Sequence, residues 1–242
     1  MSEKSYKESW QDYYGEYPYT ETDERHDLSP DEFAREMIRV FDSAGVLDMI
    51  QKEKISILAS SVSTGKKDWA FLKNLDETIG ALKKSHNPEI FLTDFALTKD
   101  RRSVVQKPQD EYKNLNFHIV ASDAYHLPFK SAFFKVLYER LGALYHAADE
   151  DITKKTGGKL TREMLEEYKR VIAPGGKIII DWINSRVPVS TVEEITDATK
   201  EDIEKFFADM GFNIEFFGEG EGFIILTYPE LETKGALTKE AA

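Results

Sequence analysis

Three apolar runs in this chain end on charged residues where a strand must give way to a loop. Residues 89–93 run into Asp94-Phe95, residues 117–120 lead to Ser122-Asp123-Ala124, and residues 133–138 run into Glu139-Arg140. A fourth run, 55–58, leads into the small polar stretch Ala59-Ser60-Ser61-Val62-Ser63-Thr64-Gly65. A carboxylate at the carboxyl end of a strand can accept hydrogen bonds from both hydroxyls of a ribose, which fixes the sugar. Small residues such as Ser61, Ser63 and Gly65 let a ligand approach the backbone closely, and Gly65 adds freedom of backbone angle. His126, Tyr125, Tyr138 and His146 are the nearby groups that can take a proton.

Other chemistries are excluded by what is missing. There is no cysteine, hence no disulfide, no thiolate metal site and no cysteine nucleophile. His26, His86, His118, His126 and His146 show no metal-ligand spacing. The Gly65-Lys66 pair lacks both the first glycine of a phosphate loop and the Ser or Thr after the lysine. Neither a nucleophile elbow nor a full dinucleotide fingerprint occurs.

The elements that must hold these groups alternate along the chain. Ser29-Pro30-Asp31-Glu32 reads as a helix start, with Ser29 as N-cap, Pro30 at the first position and Glu32 three residues on. Strands are expected at 55–58, 89–94, 117–120, 133–138 and 177–182, and helices at 67–84 and 160–172. A helix over 200–210 ends at Gly211, and strands at 212–217 and 223–228 flank a glycine-rich hairpin loop. Alternating strands and helices imply a parallel sheet with right-handed crossovers. The terminal hairpin places one antiparallel strand in it. The expected fold class is α/β: a seven-stranded, mostly parallel sheet with helices on both faces and a C-terminal antiparallel hairpin.

At 242 residues, one large domain and an arm is the economical count. Residues 1–30 form an acidic, tyrosine-rich arm, 31–228 the domain, and 229–242 a loose polar tail. The arm's aromatics imply that part of it docks, on the domain's own surface or as a lid over a substrate. A formal charge of -12 argues against broad nucleic-acid binding. No apolar run approaches the roughly 20 residues that span a bilayer. The polar N-terminus is not a signal peptide. A cytoplasmic protein with no membrane partner is the expectation, and a protein partner or a homodimer stays open.

Two segments carry a resemblance. Ser122-Asp123-Ala124-Tyr125-His126-Leu127-Pro128-Phe129 is followed by Met164-Leu165-Glu166-Glu167-Tyr168-Lys169-Arg170-Val171-Ile172-Ala173-Pro174-Gly175-Gly176-Lys177-Ile178-Ile179-Ile180-Asp181. In this order they resemble the second half of class I S-adenosylmethionine (SAM) methyltransferases, a Rossmann-like family. The resemblance covers about residues 30–228 and implies SAM as cofactor. It implies that Asp94 and Phe95 meet the ribose, and that Asp123 and the Ala124 amide read the adenine. It places Ser61, Ser63 and Gly65 at the family's three glycine positions and Ala59 at its acidic one. Lys135 stands where the family commonly has aspartate. Glu139 or Arg140 could then hold the methionine end of SAM, in part replacing the acid missing at Ala59. The family's asparagine-proline-proline-aromatic motif is absent at 138–141, which points away from bases and glutamine as acceptors. The implied function is methyl transfer to a small molecule by in-line positioning. No base is demanded, and Tyr138, His146 and His126 are the candidates if one is used. The alternative is a methyltransferase-like domain that has lost catalysis and serves binding or assembly.

Overall fold

In a computed structural model, residues 28–60, 66–94, 111–140, 143–147, 157–181, 199–218 and 223–230 are described. Residues 1–27 and 231–242, most of the expected arm (1–30) and tail (229–242), lie outside them. The first helix, α1 (Pro30–Ser43), begins as its sequence requires. The Ser29 hydroxyl accepts from the Glu32 N–H, and the Glu32 carboxylate accepts from the Ser29 N–H at 2.9 Å. This reciprocal cap satisfies two amides that the helix cannot. After Gly45 comes a second helix, α2 (Val46–Lys52), which the sequence reading did not foresee.

The remaining elements, in order, are β1 (Ser56–Ser60), α3 (Lys66–Ala81), β2 (Glu89–Asp94), β3 (Asn116–Ala121), β4 (Phe134–Arg140), α4 (Ala143–Ala147), α5 (Lys159–Val171), β5 (Ile172–Asp181), α6 (Lys200–Asp209), β6 (Asn213–Phe217) and β7 (Phe223–Thr227). The strands form one seven-stranded sheet in the order β3-β2-β1-β4-β5-β7-β6. β1 to β5 run parallel, and β7 is antiparallel to both β5 and β6. All seven expected strands are present, and the mostly parallel sheet with an antiparallel C-terminal pair is the arrangement adopted.

Strand alternation divides the core in two. Ile57 and Ala59 of β1, Val136 and Tyr138 of β4 and Ile179 of β5 pack with α1, α2 and α3. Leu58, Leu137, Ile178 and Ile180 face the other way, onto α5 and α6. Phe41 of α1, Phe71 of α3 and Tyr138 meet edge to face, with centroids 5.0 to 6.5 Å apart. Such rings add about 1 kcal/mol per pair beyond their burial. α6 ends at Gly211 with φ of 84°. The N–H of Phe212 returns to the Phe207 carbonyl and that of Gly211 to Ala208, which satisfies two terminal carbonyls.

β5 differs from expectation at its start. The strand begins at Ile172, with Ala173-Pro174-Gly175-Gly176 inside it as a bulge. Phe134 pairs with Ile172, whereas Val136 pairs with Lys177. The extra residues bend the strand as it leaves α5.

At the amino ends of β2 and β3 the Glu89 carboxylate accepts from Lys54 at 2.8 Å, from Asn116 at 3.2 Å, and pairs with His118 Nε2 at 2.5 Å. Burial alone would raise the Glu89 carboxyl, but these three partners bring it down to about 2. A lowered folded-state value favours folding above the ordinary 4.5, and the gain fades as pH falls towards 2. Glu89→Gln is therefore expected to cost about 1 kcal/mol at pH 7. Denaturant midpoints of the two proteins should converge between pH 4.5 and pH 2; a gap that persists at pH 2 would contradict this assignment.

Candidate functional site

Sheet order reverses at β1, which has β2 on one side and β4 on the other. A ligand of an open α/β sheet sits beyond the carboxyl ends of the strands at such a point. β1 ends there on Ser60, β2 on Asp94 and β4 on Arg140. Asp94 pairs with Ala121, the last residue of β3, so Asp123 lies two residues past Asp94's partner.

No helix follows β3. The chain turns through 122–133 directly into β4. Asp123 shapes that turn itself: Oδ1 accepts from the Tyr125 N–H at 2.9 Å, and its carbonyl accepts from the His126 N–H at 3.0 Å. Its Oδ2 faces His126 Nδ1 at 3.5 Å, and the Asp123 side chain keeps 29% of its surface exposed. One carboxylate oxygen is thus committed to the turn, and the other retains accepting capacity at the surface. Beside it, Ser122 Oγ is buried with no hydrogen-bond partner among the described residues. A buried hydroxyl of that kind calls for a partner, which suits a polar ligand at this edge.

The turn is held from α5. Arg170 donates from Nη1 to the Phe129 carbonyl at 2.7 Å and from Nη2 to the Leu127 carbonyl at 2.9 Å. Its Nε and Nη2 also donate to the Glu167 carboxylate at 2.7 and 2.6 Å. Glu167 Oε1 in turn accepts from the Leu127 N–H at 2.7 Å. A planar guanidinium can serve carboxylate and carbonyls together, which a lysine cannot. The two segments that carry the sequence resemblance therefore touch each other, and Glu167 is the member that sequence reading passed over.

Beyond β4, parity sends adjacent residues to opposite faces. Tyr138 points towards α3, where its hydroxyl donates to Asp68 Oδ1 at 3.2 Å. Burial and the nearby Asp68 charge hold the Tyr138 phenol well above its usual range. That makes it a poor proton acceptor. Arg140 shares this side, with Nη1 3.6 Å from Asp68, Nε 3.4 Å from Asp181 and the Phe33 ring below its guanidinium at 5.0 Å. Glu139 points the other way. It is 1% exposed, and its carboxylate accepts from the Leu144 N–H at 2.6 Å and shares a hydrogen bond with the Tyr168 hydroxyl. Tyr168 also bonds Ser60 Oγ at 2.9 Å. Strand alternation turns the Glu139 carboxylate, expected at the methionine end of a cofactor, towards α5. Arg140 is likewise engaged with Asp68 and Asp181.

His126 is 77% exposed beside Asp123. Ala124 and Tyr125 pack partly buried against the α5-side core. Ser61, Ser63, Gly65 and Phe95 lie outside the described residues, as do the side chains of Asp94 and His146. Among the described residues no group of acids and histidines could hold a metal ion. Asp68, Ser60 and Tyr168 are buried polar groups near these strand ends that sequence reading passed over. Asp68 had one signal, an acid in the first turn of a helix that follows the small-residue loop.

No family model matches the chain, and no curated relative matches it. Among solved structures it is similar to the DszA carbon methyltransferase, with a TM-score of 0.53 at 16% identity over 84% of this chain and 54% of that one. It is also similar to the CMeT domain of the citrinin polyketide synthase, with a TM-score of 0.50 at 15% identity over 74% of this chain and 48% of that one. The chain thus spans about half the length of these two structures. Likeness at this level of identity is one of fold.

Proposed function

From the class I methyltransferase fold of this chain, we propose that it binds SAM across the carboxyl ends of β1, β2 and β3 and transfers the methyl group to a small-molecule acceptor. The observation that carries this reading is Asp123: a carboxylate locked by its own turn, clamped from α5, and left with one oxygen at the surface next to the end of β2. Asp94 and Phe95 would hold the ribose. Asp123 and the Ala124 amide would hold the adenine, with the buried Ser122 hydroxyl within the same edge. Ser61, Ser63 and Gly65 would admit the cofactor close to the backbone.

The cofactor supplies an electrophilic methyl group on its sulfonium. What the chain supplies is in-line placement of the acceptor and exclusion of water. A base is not needed for that. Tyr138 is already committed to Asp68, so His146 on α4 and His126 beside Asp123 are the candidates where an acceptor must lose a proton. The charge of -12 favours small acceptors over nucleic acid. No described helix is long and apolar enough to cross a membrane, and the reading places the activity in the cytoplasm.

A second reading, binding without catalysis, is favoured by Ala59. It is buried in β1 among apolar neighbours, where the resembled family has an acid. Transfer of labelled methyl from SAM to a panel of oxygen, nitrogen and carbon nucleophiles separates the two. Asp94→Ala and Asp123→Ala are each expected to lower kcat/KM at least about tenfold, the equivalent of about 1.4 kcal/mol. SAM binding with transfer to no acceptor of the panel would favour the second reading.

A further inference from the structure

Trp69 stands in the first turn of α3, and its ring packs partly buried against the core. Its Nε1 is buried and has no hydrogen-bond partner among the described residues. An indole N–H can only donate. Buried donors are nearly always met, so an unmet one marks a place for an acceptor.

Helix periodicity says which way this residue faces. α3 follows β1 and leads back to the start of β2, so its first turn lies at the carboxyl end of the sheet. Positions i and i+7 share a helix face, and Trp69 shares one with Asp76. Asp76 Oδ1 accepts from the Asn114 N–H at 2.7 Å, and the Asp76 carbonyl accepts from Asn114 Nδ2 at 3.1 Å. Asn114 leads into β3, so this face of α3 looks towards the β2–β3 side of the sheet. Phe71 lies on the other flank, against Phe41 of α1 and Tyr138 of β4. Two turns before Asp76, Trp69 is about 10 Å nearer the carboxyl ends. It packs on the same core group as Leu92, near the end of β2, and Ile119 of β3. The unmet N–H therefore stands beside the end of β2. Ser122 Oγ, the unmet hydroxyl past β3, lies on the same side of the sheet.

Resting on the SAM-binding reading, we infer that Trp69 binds the ribose of the cofactor, its indole N–H donating to one of the two hydroxyl oxygens. A carboxylate at the end of β2 only accepts, so it takes up the protons of the hydroxyls. Each hydroxyl oxygen keeps lone pairs that a donor can meet. Trp69 supplies that donor. Its N–H is already out of water in the ligand-free protein, so the new bond costs the donor no further dehydration. A ligand without that hydroxyl leaves the N–H unmet. Trp69 thus makes the site selective for a ribonucleoside over its deoxy counterpart.

The test titrates S-adenosylhomocysteine and its 2′-deoxy and 3′-deoxy forms calorimetrically into the whole chain and into Trp69→Phe. The variant keeps an aromatic ring and removes the donor. It is expected to bind S-adenosylhomocysteine about fivefold more weakly than wild type. For one of the two deoxy forms that difference should vanish, because the acceptor is gone from the ligand. A second readout leaves Trp69 in place. With nitrogen-15 in its indoles the chain gives signals from Trp10, Trp69 and Trp182, and Trp10→Phe and Trp182→Phe identify the other two. The Trp69 indole proton is expected to move downfield on saturation with S-adenosylhomocysteine, as the hydrogen bond forms. Equal affinity of wild type and Trp69→Phe for S-adenosylhomocysteine would overturn this inference alone, as would a deficit of one size for all three ligands. Should Trp69→Phe fail to fold, an unmoved Trp69 signal in the ligand-saturated chain would overturn it equally. Absence of S-adenosylhomocysteine binding by folded wild type would overturn the cofactor reading, and this inference with it.

Discussion

Arg170→Ala is expected to destabilise the protein by about 3 kcal/mol and to weaken SAM binding about tenfold. The side chain acts on the 122–133 turn. It holds the Leu127 and Phe129 carbonyls and the mostly buried Glu167 carboxylate at once. Truncation leaves all three without that donor, and the larger share of the cost is the carboxylate left behind. For a chain of this size the melting temperature should fall by roughly 8 °C. The binding loss follows because the turn that carries Asp123 is no longer fixed from α5. Arg170→Lys is the informative companion. A lysine brings a point charge without the planar fork, so it should restore the Glu167 pair but not both carbonyl bonds. About half the stability should return, with less of the affinity. An Arg170→Ala protein with unchanged melting temperature would show that the clamp carries no weight.

Gly176→Ala is expected to cost a further large amount, about 3 kcal/mol. A Cβ at this position would stand 2.7 Å from the Ala173 carbonyl oxygen, 2.9 Å from the Lys135 carbonyl oxygen and 2.8 Å from Ile172 Cγ2. Two of those three atoms are backbone in the bulge and in β4, so no side chain can turn aside to make room. The junction of α5, β4 and β5 has to open instead. Gly175→Ala provides the contrast. Its φ of 75° disfavours alanine, yet the nearest atoms belong to the Glu230 side chain, at 3.2 Å and beyond. Its cost should be about 1 kcal/mol, from the backbone alone. Chemical denaturation of both variants checks the order, and a Gly175→Ala loss as large as that of Gly176→Ala would contradict it.

Most of the fold was legible because the sheet is built from unbroken apolar runs bounded by turn residues. Those runs survive any error of a residue or two at their ends. The α1 boundary was legible for a different reason: Ser29, Pro30 and Glu32 are a local signal whose partners lie within three residues of each other. α2 and α4, of seven and five residues, are too short to show a helical stripe. The bulge at 173–176 was hidden because its cause is not local. Pro174-Gly175-Gly176 reads as the end of a helix, and only the pairing of β5 with β4 shows that the strand has already begun.

Within the site, Asp94 and Asp123 were legible as acids at strand ends. The direction in which Glu139 turns was not legible because its strand is buried on both faces. Where apolar residues fill both, the alternation of period two leaves no mark in the sequence to say which way residue 139 turns. The Ser60–Tyr168 bond was illegible on other grounds, since it joins residues 108 apart. Glu167 and Arg170 stand three apart on one helix. Their pairing could have been read, but not their joint hold on the 122–133 turn.

The central claim is that the carboxyl ends of these strands hold SAM, and direct calorimetric titration of the whole chain with SAM at pH 6, beside Asp123→Ala, tests it most directly. The expected result is one site of micromolar affinity in wild type, weakened at least about tenfold in a folded Asp123→Ala protein. A folded wild type that releases no heat with SAM or S-adenosylhomocysteine, or an Asp123→Ala protein that binds as tightly as wild type, would contradict it.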